Sequence, residues 1–445
     1  MPHQSLSTLD ALRRGDLAGA RELRLPGVCE FPRDIFGLAD TLEVLDLGNG
    51  ALSALPDDLG RLRKLKVLFC SNTRFARLPP SLGDCAELQL IGFRKAGVRD
   101  IPGEALPAKL RWLTLTDNHI DRLPAALGER PHLQKLMLAG NRLATLPQGL
   151  ANAGALELIR LSANRFERLP TWLRALPRLA WISWSANPCA RDPAPADARL
   201  APWSQLAVGA LLGEGASGRV HAATWRTPDT PAREVALKLF KGAMTSDGLP
   251  AHEMAACLAA GEHPHLTAAL GRLADHPEGM EALLMPLVAA HWRPLAAPPS
   301  LESCSRDVYD PGLRLSAHAA RRLLRGIAAA TAHLHARGLL HGDLYAHNIL
   351  WDAATGDATL GDFGAACALP AAAESADWRR IETRAFGLLM NEILDRCAAN
   401  ARAAQDDDAT TATGAALSGL RDLAQACVQE DVRARPAMAD VLSAL

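Results

Sequence analysis

No C-x-x-C pair occurs among the nine cysteines, which stand scattered at 29, 70, 85, 189, 257, 304, 367, 397 and 427. An odd, dispersed set without metal-ligand spacing excludes a zinc ribbon and a disulfide framework, and reads as buried free thiols in a reducing compartment. Charge of one sign is also missing. The formal net charge of −1 predicts neither a polyanion partner nor an anionic membrane, and no basic patch calls for nucleic acid. No apolar run approaches the ~20 residues a membrane helix needs, and the opening MPHQSLSTLDALRRGDLAG has no signal-peptide core. The expected setting is therefore cytoplasmic. What is present, 49% hydrophobic and 22% charged residues in 445, describes a globular chain of more than one domain. Its richness in Ala, Leu and Arg suits a high-GC bacterial genome.

The first half carries a fixed period. Aligned on L-x-x-L-x-L, units start at Leu42, Leu65, Leu88, Leu110, Leu133, Leu156 and Leu179, with spacings of 23, 23, 22, 23, 23 and 23. Three later units hold Asn118, Asn141 and Asn164 at the same place, where Gly50, Thr73 and Ala96 stand in the first three. An L-x-x-L-P segment follows most units, with prolines at 56, 79, 124, 147 and 170. The x-L-x-L segment reads as a short parallel strand with its leucines inward, and the asparagine as the residue that satisfies backbone groups at the turn. A less regular ladder is expected where it is missing. The pattern resembles the 23-residue leucine-rich repeat, with a degenerate first unit around Leu23, Leu25 and Phe31-Pro32 as a cap.

Residues flanking the second leucine of each strand should face outward. The first of each pair is apolar in six of seven units: Val44, Val67, Leu90, Trp112, Leu158 and Trp181. An exposed apolar ridge of this kind marks a protein-binding face, and the alternative is that it packs on the chain's own second domain. The stretch NPCARDPAPADARLAPW, with four prolines, reads as a stiff linker. The expected division is a repeat domain over 1–188, a linker over 189–203 and a second domain over 204–445.

Four motifs follow in that second domain. The first is G-E-G-A-S-G-R-V at 213–220, within strand–turn–strand patterning. Gly213, Gly215 and Gly218 let backbone N–H groups approach phosphate. A dinucleotide fold would need a helix directly after the glycines, where the sequence continues as strand. The second is V-A-L-K at 235–238, with Glu253 on the following predicted helix as the partner of Lys238 and Glu262 as the alternative. The third and fourth are H-G-D-L-Y-A-H-N at 341–348 and D-F-G at 362–364.

In this order and spacing, residues 205–445 resemble the eukaryotic-like protein kinase superfamily. Two weaker matches agree: I-E-T-R-A-F-G at 381–387, with Glu382 in place of an aspartate, and D-V-R-A-R-P at 431–436. The resemblance implies an α/β chain, a leucine-rich-repeat solenoid followed by an α+β bilobal kinase-like domain with lobes at about 204–288 and 289–445. It implies an ATP-dependent protein kinase of the Ser/Thr type using Mg²⁺, with the repeats recruiting a protein partner or substrate. Lys238, Glu253 and Asp343 become the catalytic residues, and Asn348 and Asp362 the metal ligands. The ATP site takes Gly213, Glu214, Gly215, Ala216, Ser217, Gly218, Val220, Ala236, Lys238, the gatekeeper Met285 and the hinge residues Pro286 and Val288. A phosphotransferase of the aminoglycoside- or choline-kinase kind, which shares H-G-D-L, and an inactive kinase-fold scaffold remain open.

The sequence also departs from that family. Gly342 replaces the usual arginine before the catalytic aspartate, Tyr345 the usual lysine two residues after it, and His347 stands where a tyrosine kinase has arginine. Only twenty residues separate Asp362 from Glu382, Ala372-Ala373-Glu374 is a poor A-P-E, and an insertion occupies 291–315. Glu302, Asp307 and Asp310 in that insertion could line an acidic pocket for a small-molecule substrate.

Overall fold

The computed structural model describes residues 2–191, 193, 199–215, 217–228, 230–242, 244–370, 372–401 and 407–445. The chain forms two compact units: Met1–Leu176 with Asn187–Cys189, and Pro177–Ala186 with Ala190–Leu445. Asn187–Cys189 stays with the first unit, whereas the strand segment of the seventh 23-residue unit clusters with the second.

In the first unit a helix α1 (Pro2–Arg14) precedes three-residue strands β1 (Glu22–Arg24), β2 (Val44–Asp46), β3 (Val67–Phe69), β4 (Leu90–Gly92), β5 (Trp112–Thr114), β6 (Lys135–Met137) and β7 (Leu158–Arg160). Each pairs in parallel with the next in a one-repeat register, Val44 opposite Val67, Leu45 opposite Leu68, and so on to Arg160. The central residue of every strand, leucine or, in β4 and β7, Ile91 and Ile159, is buried, as are the repeat-opening leucines from Leu42 to Leu156. Short 3₁₀ helices follow, entered through Pro79, Pro102, Pro124, Pro147 and Pro170. Proline has no N–H to leave unsatisfied at that entry, and its fixed φ suits it.

The asparagines work as expected. Asn118 Nδ2 donates to Phe93 O and Leu115 O, and its Oδ1 accepts from the N–H groups of Ala96 and Val98. Asn141 and Asn164 repeat the arrangement one unit on. The expected irregularity in the early units is not found. Thr73 Oγ1 bonds Cys70 O, the Ala96 amide is served from the next repeat, and Gly50 lets backbone approach where a Cβ would lie 2.3 Å from Val28 O. The residue before each of these positions has positive φ: Asn49, Asn72, Lys95, Asp117, Gly140, Ala163 and Ala186. One left-handed residue per repeat is what turns the chain off the strand. Asn141→Ala is expected to destabilise the repeats by about 1–3 kcal/mol, since it strands buried N–H and C=O groups. Chemical denaturation of the full chain reads this out.

The outward ridge needs correction. Val67, Leu90, Leu158 and Trp181 are buried, Trp181 to 1% exposure, and only Val44 and Trp112 stay half-buried. Strands one repeat apart lie about 4.8 Å from each other, so Val67 and Leu90 cover one another along the ladder, while Trp181 lies against the Tyr345 ring. Lys135 lies 3.9 Å from the Trp112 ring centre.

In the second unit, β8 (Trp181–Ser183) and β9 (Leu200–Pro202) precede a hairpin of β10 (Leu206–Glu214) and β11 (Gly218–Thr227), then β12 (Thr230–Phe240), helix α2 (Pro250–Ala260), β13 (Gly271–Ala274) and β14 (Ala282–Pro286). The sheet order is β10-β11-β12-β14-β13-β9. Its sixth strand comes from the end of the expected linker, where Leu200–Pro202 pairs in parallel with β13; linker residues 192 and 194–198 lie outside the described residues. Trp225, Val235, Leu237 and Leu284 fill the sheet's core. The remainder is β15 (Arg293–Pro294), α3 (Ala317–Ala336), β16 (Leu339–Leu340), β17 (Ile349–Trp351), β18 (Ala358–Leu360), β19 (Cys367–Ala368), α4 (Ala372–Ala401), α5 (Asp407–Cys427) and α6 (Met438–Ala444).

All nine cysteines are free and seven are buried, with burial pushing the Cys85 and Cys427 thiols up to about 12. Such thiols are inert at neutral pH. Among the described residues no helix is long and apolar enough to cross a membrane.

Candidate active site

Strand alternation builds the site's roof. On β12, Ala236 and Lys238 share one face, with Met285 opposite Ala236 and Val220 opposite Lys238. Helix α2 starts with Pro250 at its first turn and places Glu253 there, where the helix dipole favours a carboxylate. Lys238 Nζ forms an ion pair with Glu253 Oε1, the lysine side chain 14% and the glutamate 3% exposed. Burial pulls the Lys238 ammonium down, and the carboxylates of Glu253 and Asp362 outweigh it, so its pKa stands above the ordinary lysine value. Glu262, the alternative partner, has no part in this pair.

The floor is the 341–348 loop. His341 takes the Asp343 N–H on Nδ1 and meets Gly361 O with Nε2 at 3.0 Å, so its proton sits on Nε2. Asn348 Nδ2 donates to both Asp343 O (2.9 Å) and Asp343 Oδ2 (2.8 Å). Glu382, almost fully buried in α4, accepts the Gly342 N–H on Oε1 at 2.7 Å and meets His335 Nε2 with Oε2 at 2.8 Å. Asp362 has φ 60° and accepts the Gly364 N–H, while Phe363 is buried with its ring 5.3 Å from that of His341. Glu382→Ala would leave two buried donors without their acceptor. It is expected to cost about 1–3 kcal/mol per stranded group, a drop of several degrees in the thermal transition.

One cavity of about 520 Å³ is lined by Gly213, Val220, Ala236, Lys238, Glu253, Met285, Pro286, Val288, Asn348 and Asp362. Gly215, Ser217 and Gly218 line an adjoining one of about 160 Å³ that shares Val220, Lys238, Glu253 and Asp362. Asp343 lies beside these cavities through its bond to Asn348. Glu214 lines neither; its side chain turns away to Lys241 and Arg219. Ala216 lies outside the described residues.

The glycines divide by role. A Cβ on Gly218 would lie 2.3 Å from Leu239 O, so packing demands glycine there, whereas Gly213 and Gly215 have nothing within 4 Å. That open space suits a phosphate chain approached by backbone N–H groups. Asn348 and Asp362 offer hard oxygen donors, and among the described residues no group of three His, Cys, Asp or Glu could hold a metal by itself. Two protein oxygens completed by phosphate oxygens and water is the arrangement that a nucleotide-bound Mg²⁺ takes. The residues present fit both groups.

Two of the insertion's three candidate acids have partners of their own. Asp307 is consumed by His347, accepting its backbone N–H at 3.1 Å and meeting Nδ1 at 2.7 Å. Burial opposes a charged His347 imidazole; Asp307, Asp343 and Asp362 favour it, and the net shift is upward. Asp310 accepts the Gly312 N–H of its own turn. Arg306 and Tyr309 bond Glu392 of α4. The segment after D-F-G is shorter than the sequence interval suggested, since α4 already begins at Ala372 and includes Ser375, 2% exposed, as well as Glu382.

Two site-building residues were missed as such. Glu382 was visible in the I-E-T-R-A-F-G match, and Asp307 only as one acid among several in the insertion. Neither position announces its partner, because each bond spans about forty residues.

Two regions of the chain are similar to known proteins. Residues 206–384 match the protein tyrosine and serine/threonine kinase family, and residues 108–166 match the leucine rich repeat. A human non-receptor tyrosine-protein kinase is 32% identical over 156 residues, 34% of this chain and 22% of its own length. CBL-interacting protein kinase 29 of rice (Oryza sativa subsp. japonica) is 31% identical over 179 residues, 40% of this chain and 38% of its own. The chain therefore spans well under half the length of these relatives. A solved leucine-rich-repeat protein of Leptospira interrogans is 27% identical, with a TM-score of 0.37, covering 40% of this chain and 45% of that one. The chain is a leucine-rich-repeat region followed by a protein kinase domain.

Proposed function

We propose that this protein transfers the γ-phosphoryl group of ATP to protein hydroxyls, serine and threonine in particular, with Mg²⁺ as the metal. The observation that carries the reading is the single cavity lined by Gly213, Lys238, Glu253, Asn348 and Asp362, with Asp343 bonded to Asn348 at its edge. Phosphoryl transfer needs little beyond positioning and charge. Lys238, held by Glu253, meets the α- and β-phosphates; Asp343 orients the acceptor hydroxyl and takes its proton. Asn348 and Asp362 would hold the metal, which supplies charge neutralisation between the phosphates when bound.

Aliphatic hydroxyls are favoured over tyrosine because His347, at the position where a tyrosine kinase has arginine, is engaged by Asp307. A small-molecule acceptor is disfavoured by the same bond, which takes up Asp307, one of the three acids that could bind it. The repeats supply a recognition face for protein, with Val44 and Trp112 as the accessible apolar side chains of the strand surface. Incubation with labelled ATP-Mg²⁺, a generic protein acceptor and, in parallel, an aminoglycoside, followed by phosphoamino-acid analysis, tests the reading. Label on phosphoserine or phosphothreonine supports it. Label on an aminoglycoside alone, or on neither, rejects it.

Activity should not depend on phosphorylation of the segment after D-F-G. Its only hydroxyl before Glu382 is Ser375, buried within α4, and Gly342 offers no cation to pair with a phosphate. Wild type, Ser375→Ala and phosphatase-treated protein are expected to give equal initial rates. A tenfold drop in either perturbed sample, about 1.4 kcal/mol in the barrier, would contradict this.

A further inference from the structure

Strand β8 and its flanks, Pro177–Ala186, belong to the kinase unit. Trp181 lies flat against Tyr345, ring centroids 4.2 Å apart and planes 7° from parallel, and its indole N–H donates to Leu344 O at 3.0 Å. Both contacts fall on the two residues after Asp343. Next to Trp181, the Ile182 carbonyl stands where a side chain on residue 342 would go: a Cβ there would lie 2.6 Å from Ile182 O and 2.6 Å from Ala365 O. With φ +75° as well, only glycine fits. The missing arginine before Asp343 therefore has a steric cause, and the strand occupies its place.

The strand is itself held by the elements that hold the loop. Arg384, two residues beyond Glu382 on α4, donates to Arg178 O at 3.2 Å. Arg435, 1% exposed, donates to Pro177 O at 2.6 Å and to the carbonyls of Gln429 and Arg380. Trp184 packs its ring 4.9 Å from that of Trp378, and its backbone N–H donates to Cys367 Sγ at 3.1 Å. Helix α4 thus grips the loop through Glu382 and the strand through Arg384, with the loop backbone between them.

We propose that Trp181 is a positioning residue for phosphoryl transfer: from within the kinase unit, its strand clamps Leu344 and Tyr345 and so fixes Asp343 against Asn348. The inference rests on the kinase reading above and extends it. The strand does permanently what a phosphorylated activation segment paired with an arginine would do on demand, so this kinase unit carries its own brace for the catalytic loop in sequence that, by period, belongs to the repeats.

The test uses the full chain, with Trp181→Ala and Trp181→Phe compared to wild type in two assays. In steady-state kinetics, Trp181→Ala is expected to lower kcat about tenfold or more, as sub-ångström misplacement of a reacting group does, with the affinity for ATP-Mg²⁺ within about twofold. Trp181→Phe keeps a stacked ring without the N–H donor and should fall between. In hydrogen–deuterium exchange, the amides of 341–348 should exchange about tenfold faster in Trp181→Ala, while α3 keeps its protection. Unchanged kcat, or unchanged exchange of the loop, overturns the proposal, as does a loss confined to nucleotide affinity. Should Trp181→Ala fail to fold, the same readouts on Trp181→Phe decide. Should wild type transfer no phosphate to any acceptor, the kinase reading fails by that result alone, and the exchange data still decide whether Trp181 braces the loop.

Discussion

Asp343→Asn is expected to bind ATP-Mg²⁺ with wild-type affinity and to lose phosphoryl transfer by about 10³-fold, roughly 4 kcal/mol in the barrier. The substitution is close to isosteric. Its amide oxygen can still accept from Asn348 Nδ2, which bonds the Asp343 carboxylate at 2.8 Å and the main-chain carbonyl at 2.9 Å, so the loop should keep its shape. What disappears is the negative charge and the capacity to take the acceptor's proton. Nucleotide affinity should survive because Lys238, Glu253, Met285 and Val288 line the cavity, whereas Asp343 lines neither it nor the adjoining one. Isothermal titration with ATP-Mg²⁺ beside a single-turnover assay separates the two effects. Wild-type turnover in the variant would remove Asp343 from the reaction.

Asp362→Asn should fail differently. Asp362 lies exposed at the cavity, in a left-handed backbone conformation that aspartate and asparagine both tolerate, so the fold should be indifferent to the exchange. Its charge has two uses here: it helps keep Lys238 protonated, and with Asn348 it supplies the oxygen donors for a divalent cation. The variant is expected to bind ATP at least about tenfold more weakly in the presence of Mg²⁺, with a much smaller change in excess chelator, and to lose turnover. Metal-dependent affinity equal to wild type would show that Asp362 is not a ligand.

The repeat period, the inward leucines and the order of the kinase motifs were legible because each is a local, repeated constraint. A strand of three residues must bury its central leucine or isoleucine wherever it occurs, and Asn118, Asn141 and Asn164 each serve backbone groups one repeat away. The same holds for Lys238 and Glu253, which fifteen residues and one strand-to-helix connection bring face to face. The misreadings share the opposite character. The first three repeats looked irregular because Gly50, Thr73 and Ala96 were judged singly, whereas Asn118 in the next unit serves the Ala96 and Val98 amides. The apolar ridge looked solvated because alternation says which face a side chain takes and not what covers that face.

By itself the sequence determined a parallel repeat ladder, a glycine loop over a paired lysine and a catalytic loop with its metal-ligand candidates, since periodicity and short spacing suffice for these. Only the tertiary structure decided that Trp181 is core rather than surface, that Gly342 marks a place taken by the Ile182 carbonyl, and that Glu382, Arg384 and Arg435 hold loop and strand together. Those partners are separated by 40 to 258 residues. Pairings over such distances are selected by packing and by the need to satisfy buried polar groups, and neither leaves a periodic trace in the chain.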